Sequence, residues 1–278
     1  MRLTTKIIVG IILSIFSISL LLIVGLSFAG RKYMNRSNVF IIDLPQDKET
    51  GIDLAPFRTV IIDEIPNNSE KYNLFVGNNC TLYIDSIPEK NNPERLFIPE
   101  SLKDFISVET SEDTLTVKLN IPGLYEKYNS NEYKHYSVSG VNFHFIISEI
   151  DVINKLRELS VSVKNIETDT IKIDSYGDVY IDSCKASVID PAVKTNYKKL
   201  TIKDCEVRKI NLDLDHGNHW NVENCIIEEE NLTGSKTHNI IHHRNEPGKI
   251  NWLPKNKDAN LNITIQGDTT QILIAGNL

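Results

Sequence analysis

The sequence predicts an all-β fold, a parallel β-solenoid of the right-handed β-helix type, with a transmembrane helix at its N-terminus. Three observations predict it. A short phrase recurs about every twenty residues, apolar and polar residues alternate within each copy, and 23 uncharged residues follow one another near the N-terminus. A repeat period of this size is typical of stacked repeat architectures.

The repeated phrase begins with alternating apolar residues and ends in a short polar residue followed by cysteine, or by isoleucine in the first copy. Its four copies are Leu159–Ile166, Val179–Cys184, Leu200–Cys205 and Trp220–Cys225. Each copy is too short to bury its apolar face alone. We therefore expect each strand to pair with the same strand of the next copy, about 4.8 Å away.

The residue that closes each copy is predicted to lie in the structural core. Cys184, Cys205 and Cys225 would form one inner column that Ile166 continues, because a free cysteine is a small and usually buried residue. A disulfide between neighbouring copies is disfavoured by the parallel Cβ directions. Asp204 and Asn224, just before two of the cysteines, are expected at a corner of unusual backbone conformation.

The composition fits one elongated domain or two small ones. The chain has 278 residues and a formal charge of −7. All 37 acidic residues lie beyond residue 38, where 25 basic residues leave a balance of −12. An acidic surface argues against a nucleic-acid partner. No phosphate-binding loop or zinc-ligand spacing is present, so no cofactor is predicted.

The order of segments along the chain predicts a membrane-anchored protein. The boundaries are an N-terminal tail (1–6), a transmembrane signal anchor (7–29), a linker (30–56) and a β-solenoid domain (57–278) with irregular first coils (57–158), regular repeats (159–241) and closing coils (242–278). The apolar run is long enough to span a bilayer and longer than a usual signal-peptide core. A cleaved signal peptide ending at Ala29 is the alternative. We expect a single-pass protein with its large domain outside the cytoplasm.

One further segment, residues 151–159, has apolar residues at helical spacing and is predicted to form a short helix before the repeats.

The first part of the domain resembles a known family. The residues that carry the resemblance are Phe57-x-x-Val60-x-Ile62, Leu74-x-Val76, Leu82-x-Ile84, Leu102 to Glu109 and Asp113 to Val117. This order resembles the start of the auto-transporter adhesin, head GIN domain family of Bacteroidota envelope proteins. The resemblance implies an adhesin-like envelope protein with stacked β coils over residues 55 to 275. This chain departs from the family in having a transmembrane segment in place of a lipoprotein cysteine, and in coils poor in glycine.

A tyrosine-rich segment, Gly123–Ser139, is the first candidate for ligand binding. Its four tyrosines are Tyr125, Tyr128, Tyr133 and Tyr136. Tyrosines in an exposed loop can stack on sugar rings or anchor a protein interface. The alternative is that they cover the flank of the domain.

A cluster of aspartates and histidines is the second candidate. Asp213, Asp215, His216 and His219 could bind a divalent metal, and Asp213, Asp215 and His216 could act as base and acid on a polysaccharide. Further histidines follow at 238, 242 and 243. No basic residue is expected beside the carboxylates. The alternative is a solvated face without chemistry.

These features favour a membrane-anchored envelope protein that is a non-enzymatic binding, adhesion or structural module. Its expected partners are the membrane, through the N-terminal helix, and an envelope protein or glycan. One alternative is a polysaccharide lyase or hydrolase on the same fold. Another is a regulatory partner of a membrane signalling protein.

Overall fold

The computed structural model describes most of the chain beyond residue 38. The described residues are 19, 39–45, 47–64, 73–76, 80–87, 93–128, 135–154, 159–193, 198–215, 219–243, 248–265 and 271–274.

Most of these residues are in strands. There are 23 strands, a 3-10 helix at Glu100–Phe105 and one described α-helix, α1 (Ile121–Lys127). The strands are β1 (Val39–Asp43), β2 (Glu49–Asp53), β3 (Thr59–Glu64), β4 (Asn73–Val76), β5 (Thr81–Ser86), β6 (Arg95–Pro99), β7 (Ile106–Ser111), β8 (Thr114–Leu119), β9 (His135–Ser139), β10 (Asn142–Ile147), β11 (Val152–Asn154), β12 (Ser160–Lys164), β13 (Glu167–Ser175), β14 (Val179–Asp182), β15 (Lys185–Val193), β16 (Lys199–Lys203), β17 (Glu206–Asp213), β18 (His219–Glu223), β19 (Ile226–Gly234), β20 (Asn239–His243), β21 (Lys249–Pro254), β22 (Leu261–Ile265) and β23 (Gln271–Ile274).

Two large mixed sheets contain most of these strands. The eight-stranded sheet has the order β18-β16-β14-β12-β5-β10-β6-β2, and the ten-stranded sheet has the order β23-β21-β19-β17-β15-β13-β11-β3-β8-β7. Strand β6 is antiparallel to β10 and to β2, and β7 is antiparallel to β8. The prediction of a parallel β-solenoid is therefore wrong. The repeat predicts how its own copies pair. It does not predict the antiparallel pairs that β6 forms with β2 and β10 and that β7 forms with β8.

The transmembrane helix of the predicted fold class is corrected too. In the part of the chain that the structure describes, no helix combines the length and the apolar character needed to cross a membrane. The predicted anchor, residues 7–29, lies outside the described residues except for Ser19.

The strands of the repeat pair in parallel and in register. Val161 lies opposite Val179, Val179 opposite Leu200, and Leu200 opposite Trp220. The second strand of each copy forms the same kind of ladder in the ten-stranded sheet, through β13, β15, β17 and β19. The register thus places equivalent side chains in straight columns on both the inner and the outer face of each sheet, although successive copies are 18, 21 and 20 residues apart.

The corner between the two strands of a copy has a left-handed backbone. Asn165, Ser183, Asp204 and Asn224 have φ between 51° and 56°, and each directly precedes the isoleucine or cysteine that closes its copy. Asparagine and aspartate tolerate this region better than other residues with a side chain. The expectation for Asp204 and Asn224 is confirmed.

Residues 151–154 form a strand rather than the start of a helix. Strand β11 lies between β3 and β13 and pairs with both in parallel. The β-branched Val152 and Ile153 suit a strand, and the open place in the ladder overrides their helical spacing.

One apolar cluster fills the space between the inner faces of the two large sheets. One column of the ten-stranded sheet is Ile189, Ile210, Glu230 and Ile250, each opposite the next on the neighbouring strand. Glu230 is fully buried in this column. A carboxylate therefore stands at a position that is aliphatic in the neighbouring strands.

Candidate functional site

The outer face of the eight-stranded sheet carries aromatic side chains where the repeat leads one to expect only polar ones. In β5 the inward residues Leu82 and Ile84 are buried, and Tyr83 between them is 40% exposed. In β14 the inward residues Val179 and Ile181 are buried, and Tyr180 between them is 39% exposed. Strand alternation thus directs both tyrosines to solvent.

These tyrosines belong to one straight row of outward side chains, which we call the aromatic stripe. It consists of Phe97, His144, Tyr83, Ser162 and Tyr180, on the adjacent strands β6, β10, β5, β12 and β14. Phe97 lies opposite His144, His144 opposite Tyr83, Tyr83 opposite Ser162, and Ser162 opposite Tyr180. The row crosses five strands, about 19 Å from end to end.

The rings of the stripe touch but are not coplanar. The ring centroids of Tyr83 and His144 are 6.1 Å apart with an interplanar angle of 71°, and those of Phe97 and His144 are 6.1 Å apart at 45°. Ser162, between the two tyrosines, is only 7% exposed. The surface between Tyr83 and Tyr180 therefore carries no protruding side chain.

Polar contacts fix two of these rings. His144 Nε2 lies 3.2 Å from Asp85 Oδ2. The pKa of Tyr180 is raised, first by burial and then by the charge of Asp178 and a hydrogen bond with it. Asp178 Oδ1 also accepts the backbone N–H of Lys199 at 2.9 Å. Tyr180 therefore keeps its phenolic proton at neutral pH, and Asp178 orients its ring.

A second outward row, which we call the charge ladder, runs beside the stripe. Its members, Asp85, Lys164, Asp182, Lys203 and Glu223, lie opposite one another in that order and alternate in sign. The pKa of Lys203 is raised, chiefly by the hydrogen bond and charge of Asp204 and also by Asp182 and Glu223. On the other side of the stripe stand the uncharged Thr81, Asn142 and Ser160. The stripe is thus an aromatic row between two polar rows.

A groove of about 520 Å³ crosses the ten-stranded sheet. Most of its lining comes from the first residues of β13, β15, β17 and β19, and its charged lining residues are Arg58, Glu149, Glu167, Asp169, Lys185, Glu206, Arg208 and Glu228. Several of these charges pair within the protein. Arg58 contacts Glu149 and lies 3.3 Å from Asp151, and Lys185 lies 3.3 Å from Glu206. Exposed pairs of this kind contribute little to stability.

A lysine side chain lies beside the two aspartates of the predicted site. Lys255 Nζ lies 2.7 Å from Asp213 Oδ1 and 2.9 Å from Asp215 Oδ2. The expectation that no basic residue stands beside these carboxylates is therefore wrong. Lys255 comes from β21 and its following turn, a region that sequence proximity does not connect with Asp213.

Asp215 is bound on both oxygens. Its Oδ1 accepts the backbone N–H of Ser235 at 2.6 Å. Burial acts to raise the pKa of Asp215, but the Ser235 N–H and Lys255 outweigh it and lower the pKa to about 2. Such a carboxylate is a poor proton acceptor at neutral pH.

The histidines do not complete a described site. His216 lies outside the described residues, and His219 is in β18 with a side chain that is also outside them. Among the residues that the structure describes, no group of three or more His, Cys, Asp or Glu could hold a metal ion.

The tyrosine-rich segment is only partly described. Tyr125 belongs to α1, Tyr128 ends that helix, and Tyr136 lies in β9. Tyr133 lies outside the described residues, and of Tyr125 and Tyr136 only the backbone is described. Tyr128 is half-buried and packs against the core, with Lys127 Nζ 5.7 Å from its ring centroid. For Tyr128 this position favours the alternative of covering the flank.

The closing residues of the copies lie as a column. Ile166, Cys184 and Cys205 are buried, Cys225 is half-buried, and all three cysteines are free thiols. The hydrogen bond with Cys184 is the largest of several influences that raise the pKa of Cys205 to about 12. The same bond lowers the pKa of Cys184. Cys184 and Cys205 are thus free thiols joined by a hydrogen bond in the interior of the protein.

Sequence reasoning missed the stripe because Phe97, His144 and Tyr83 lie before the regular repeats. The usable signal was that Thr81–Ile84 has the same alternation as Val161–Val163 and Val179–Ile181. Aligning these strands places Tyr83 and Tyr180 at the same outward position.

Comparisons with known proteins found neighbours in structure only. No protein-family model and no curated protein matches the sequence. A "putative adhesin" of Bacteroides fragilis is 13% identical, with 84% of this chain and 98% of that chain covered and a TM-score of 0.48. A "putative lipid binding protein" of Parabacteroides distasonis is 13% identical, with 85% and 98% covered and a TM-score of 0.38.

A further "putative adhesin" of Parabacteroides distasonis is 11% identical, with 84% and 100% covered and a TM-score of 0.33. All three neighbours come from Bacteroidota, the group of the family that the sequence resembles, and two of them are named as adhesins.

Proposed function

We propose that this chain is a non-enzymatic binding or adhesion module of the cell envelope. Its location at the membrane, with the large domain outside the cytoplasm, is part of this proposal. The aromatic stripe is the surface that it presents to an envelope partner, a glycan or a protein. The observation that carries the proposal is the exposure of Tyr83 and Tyr180 in one row on a continuous sheet.

The stripe suits binding because it combines apolar surface with fixed geometry. Aromatic rings bury a large area on contact and lose little conformational freedom when they do so. Strands β5, β12 and β14 are each paired on both sides, so the rings stand on the interior of a sheet and not on a loop. A preformed surface avoids the cost of ordering on binding.

The polysaccharide-enzyme alternative finds less support. An acid–base mechanism through Asp213, Asp215 and His216 needs a carboxylate free to take a proton, and Lys255 occupies both aspartates. The pKa of Asp215, at about 2, is far from that of a general base at neutral pH.

The test compares the purified full-length chain with the double variant Tyr83→Ala/Tyr180→Ala on a glycan array and in a pulldown from bacterial envelope fractions. Leu253→Ala is the matched control, since Leu253 is 41% exposed on the ten-stranded sheet. We expect a ligand that the wild type and the control bind and the double variant loses. Equal binding by all three, with unchanged melting temperatures, would refute the proposal.

A further inference from the structure

We infer that the ligand of the aromatic stripe is a straight, uncharged polysaccharide that lies across the strands, with sugar rings stacked on Tyr83 and Tyr180. This inference rests on the proposed function and names the ligand class of the same surface. Four properties of the stripe lead to it: the chemistry of its flanks, the pairing of its strands, the spacing of its rings and its charge.

The chemistry of the stripe matches a sugar chain. A pyranose ring offers a face of C–H groups, which packs on an aromatic ring, and a rim of hydroxyls. The stripe supplies rings, and the rows beside it supply acceptors and donors, with Asp85 and Asp182 on one side and Thr81 and Asn142 on the other. A carboxylate accepts hydrogen bonds from hydroxyls, and an amide both donates and accepts.

The pairing of the strands disfavours an extended peptide as the ligand. Peptides that bind to sheets usually add a strand at an open edge, where main-chain hydrogen bonds supply affinity. Strand β5 pairs with β10 and β12, and β14 pairs with β12 and β16. The backbone N–H and C=O groups beneath the stripe therefore already form hydrogen bonds within the sheet. Only side chains are left to recognise a ligand.

The spacing of the rings sets the direction of the chain. Tyr83 and Tyr180 are two strands apart, with Ser162 between them, which gives about 9.6 Å between stacking positions. This distance is close to the length of a disaccharide in a straight polysaccharide. Because Ser162 is covered, a sugar between the two stacked ones meets no obstacle.

The far end of the stripe offers a further contact. The ring of His144 is tilted by 71° from that of Tyr83, so the same sugar face cannot stack on both. His144 instead presents an edge, with Nε2 directed to Asp85, and Phe97 follows at a centroid distance of 6.1 Å from His144. The contacts along the ligand therefore end about 19 Å apart, at Phe97 and Tyr180.

The charge of the surface selects an uncharged polymer. The charge ladder has three carboxylates and two ammonium groups, and the whole chain has a formal charge of −7. A polyanion such as polygalacturonate would approach an acidic protein against its field. An uncharged chain meets no such electrostatic repulsion. Its hydroxyls can form hydrogen bonds with both the carboxylates and the ammonium groups of the charge ladder.

The test is isothermal titration of the purified full-length chain with cello-oligosaccharides and chito-oligosaccharides, from the monosaccharide to the hexasaccharide. Maltohexaose, which coils, and hexagalacturonate, which is anionic, are the comparison ligands. We expect the affinity for at least one straight series to rise with length until the ligand spans about 19 Å, and then to level off. Maltohexaose and hexagalacturonate are expected to bind at least tenfold more weakly.

The variants assign the contacts. Tyr83→Ala and Tyr180→Ala should each weaken hexasaccharide binding about five- to tenfold, since one stacked ring is lost. Tyr180→Phe keeps the ring and should bind within about twofold of the wild type. Tyr180→Ala should also remove the gain from the longer ligands while leaving the disaccharide affinity nearly unchanged. Leu253→Ala is the control and should change nothing.

The outcomes separate this inference from the proposed function. If no oligosaccharide of either straight series binds, while a protein partner is captured in a manner that depends on Tyr83 and Tyr180, the ligand class is wrong and the proposed function stands. If no binding of any kind depends on the two tyrosines, both fail. Equal affinity for straight, coiled and anionic hexasaccharides would overturn the inferred shape and charge of the ligand.

Discussion

Asp215 Oδ2 accepts a hydrogen bond from Lys255 Nζ at 2.9 Å, across 40 residues of sequence. The same ammonium lies 2.7 Å from Asp213 Oδ1, so one lysine joins two carboxylates to the strand that follows β19 in the ten-stranded sheet. The two aspartates that the sequence offered as part of a metal or catalytic cluster thus form an ionic link between the ends of β17 and β21, which lie on either side of β19.

This link predicts a loss of stability in acid. The pKa of Asp215 is about 2 in the folded protein, below its ordinary value of 3.8. Asp215 therefore contributes stability above pH 3.8 that is lost as the pH falls toward 2, on the order of 2 kcal/mol. The free energy of unfolding, measured in urea, should fall as the pH is lowered from 5 to 2 in the wild type. It should fall less steeply in Asp215→Asn. The same fall in both proteins would show that Lys255 and Ser235 do not lower the pKa of Asp215.

The thiol column predicts an order of chemical labelling. Cys184 and Cys205 are buried and Cys225 is half-buried. The pKa of Cys205 is raised to about 12, so its reactive thiolate is scarce at pH 8. Mass spectrometry after a short iodoacetamide pulse on the native protein should find Cys225 labelled first. Labelling of Cys205 as fast as Cys225 would contradict the column, and labelling in urea is the control for accessibility.

The left-handed corner at Ser183 predicts opposite effects of two substitutions. Ser183 has a φ of 54°, a conformation that asparagine and glycine tolerate and a β-branched residue does not. Ser183→Asn should leave the free energy of unfolding unchanged or raise it by a few tenths of a kcal/mol. Ser183→Val should lower it by about 1–2 kcal/mol. Thermal unfolding compares them, and equal melting temperatures for the two variants would rule out a strained corner.

The buried glutamate of the core predicts an unusual stabilising change. Glu230 lies between Ile210 and Ile250 on neighbouring strands and is fully buried. Burial of a carboxyl group costs free energy because the group leaves water, whereas burial of a leucine of similar volume is favourable. Glu230→Leu should therefore unfold at the same or a higher urea concentration. A midpoint below that of the wild type would mean that Glu230 makes interactions worth more than its burial costs.

The sequence could predict the local geometry of the repeats but not the whole topology. The recurring motif that ends in Cys184, Cys205 and Cys225 correctly placed the neighbouring copies in register, and Asp204 and Asn224 marked the left-handed corner. The antiparallel partners of β6 could not be predicted, because long-range pairing depends on which strand positions other segments leave open. The same reason explains residues 151–154, where a place in the ladder overrides helical spacing.

The candidate site was predicted less well than the fold. Asp213 and Asp215 are two residues apart in sequence and suggested chemistry, but Lys255, which directly follows β21, lies beside both. Tyr83 and Tyr180 are nearly a hundred residues apart and become members of one row only through the register of β5, β12 and β14. A functional row of this kind is a property of the sheet, so no local motif reveals it.

Hydroxyl-radical footprinting of the full-length chain, with and without a ligand identified on the glycan array or in the pulldown, tests the central claim most directly. We expect Tyr83 and Tyr180 to become protected from oxidation, while Ile226 and Leu253, which are 69% and 41% exposed on the ten-stranded sheet, stay accessible. Unchanged oxidation of Tyr83 and Tyr180 together with protection of Ile226 would contradict it, because the ligand would then occupy the groove and not the aromatic stripe.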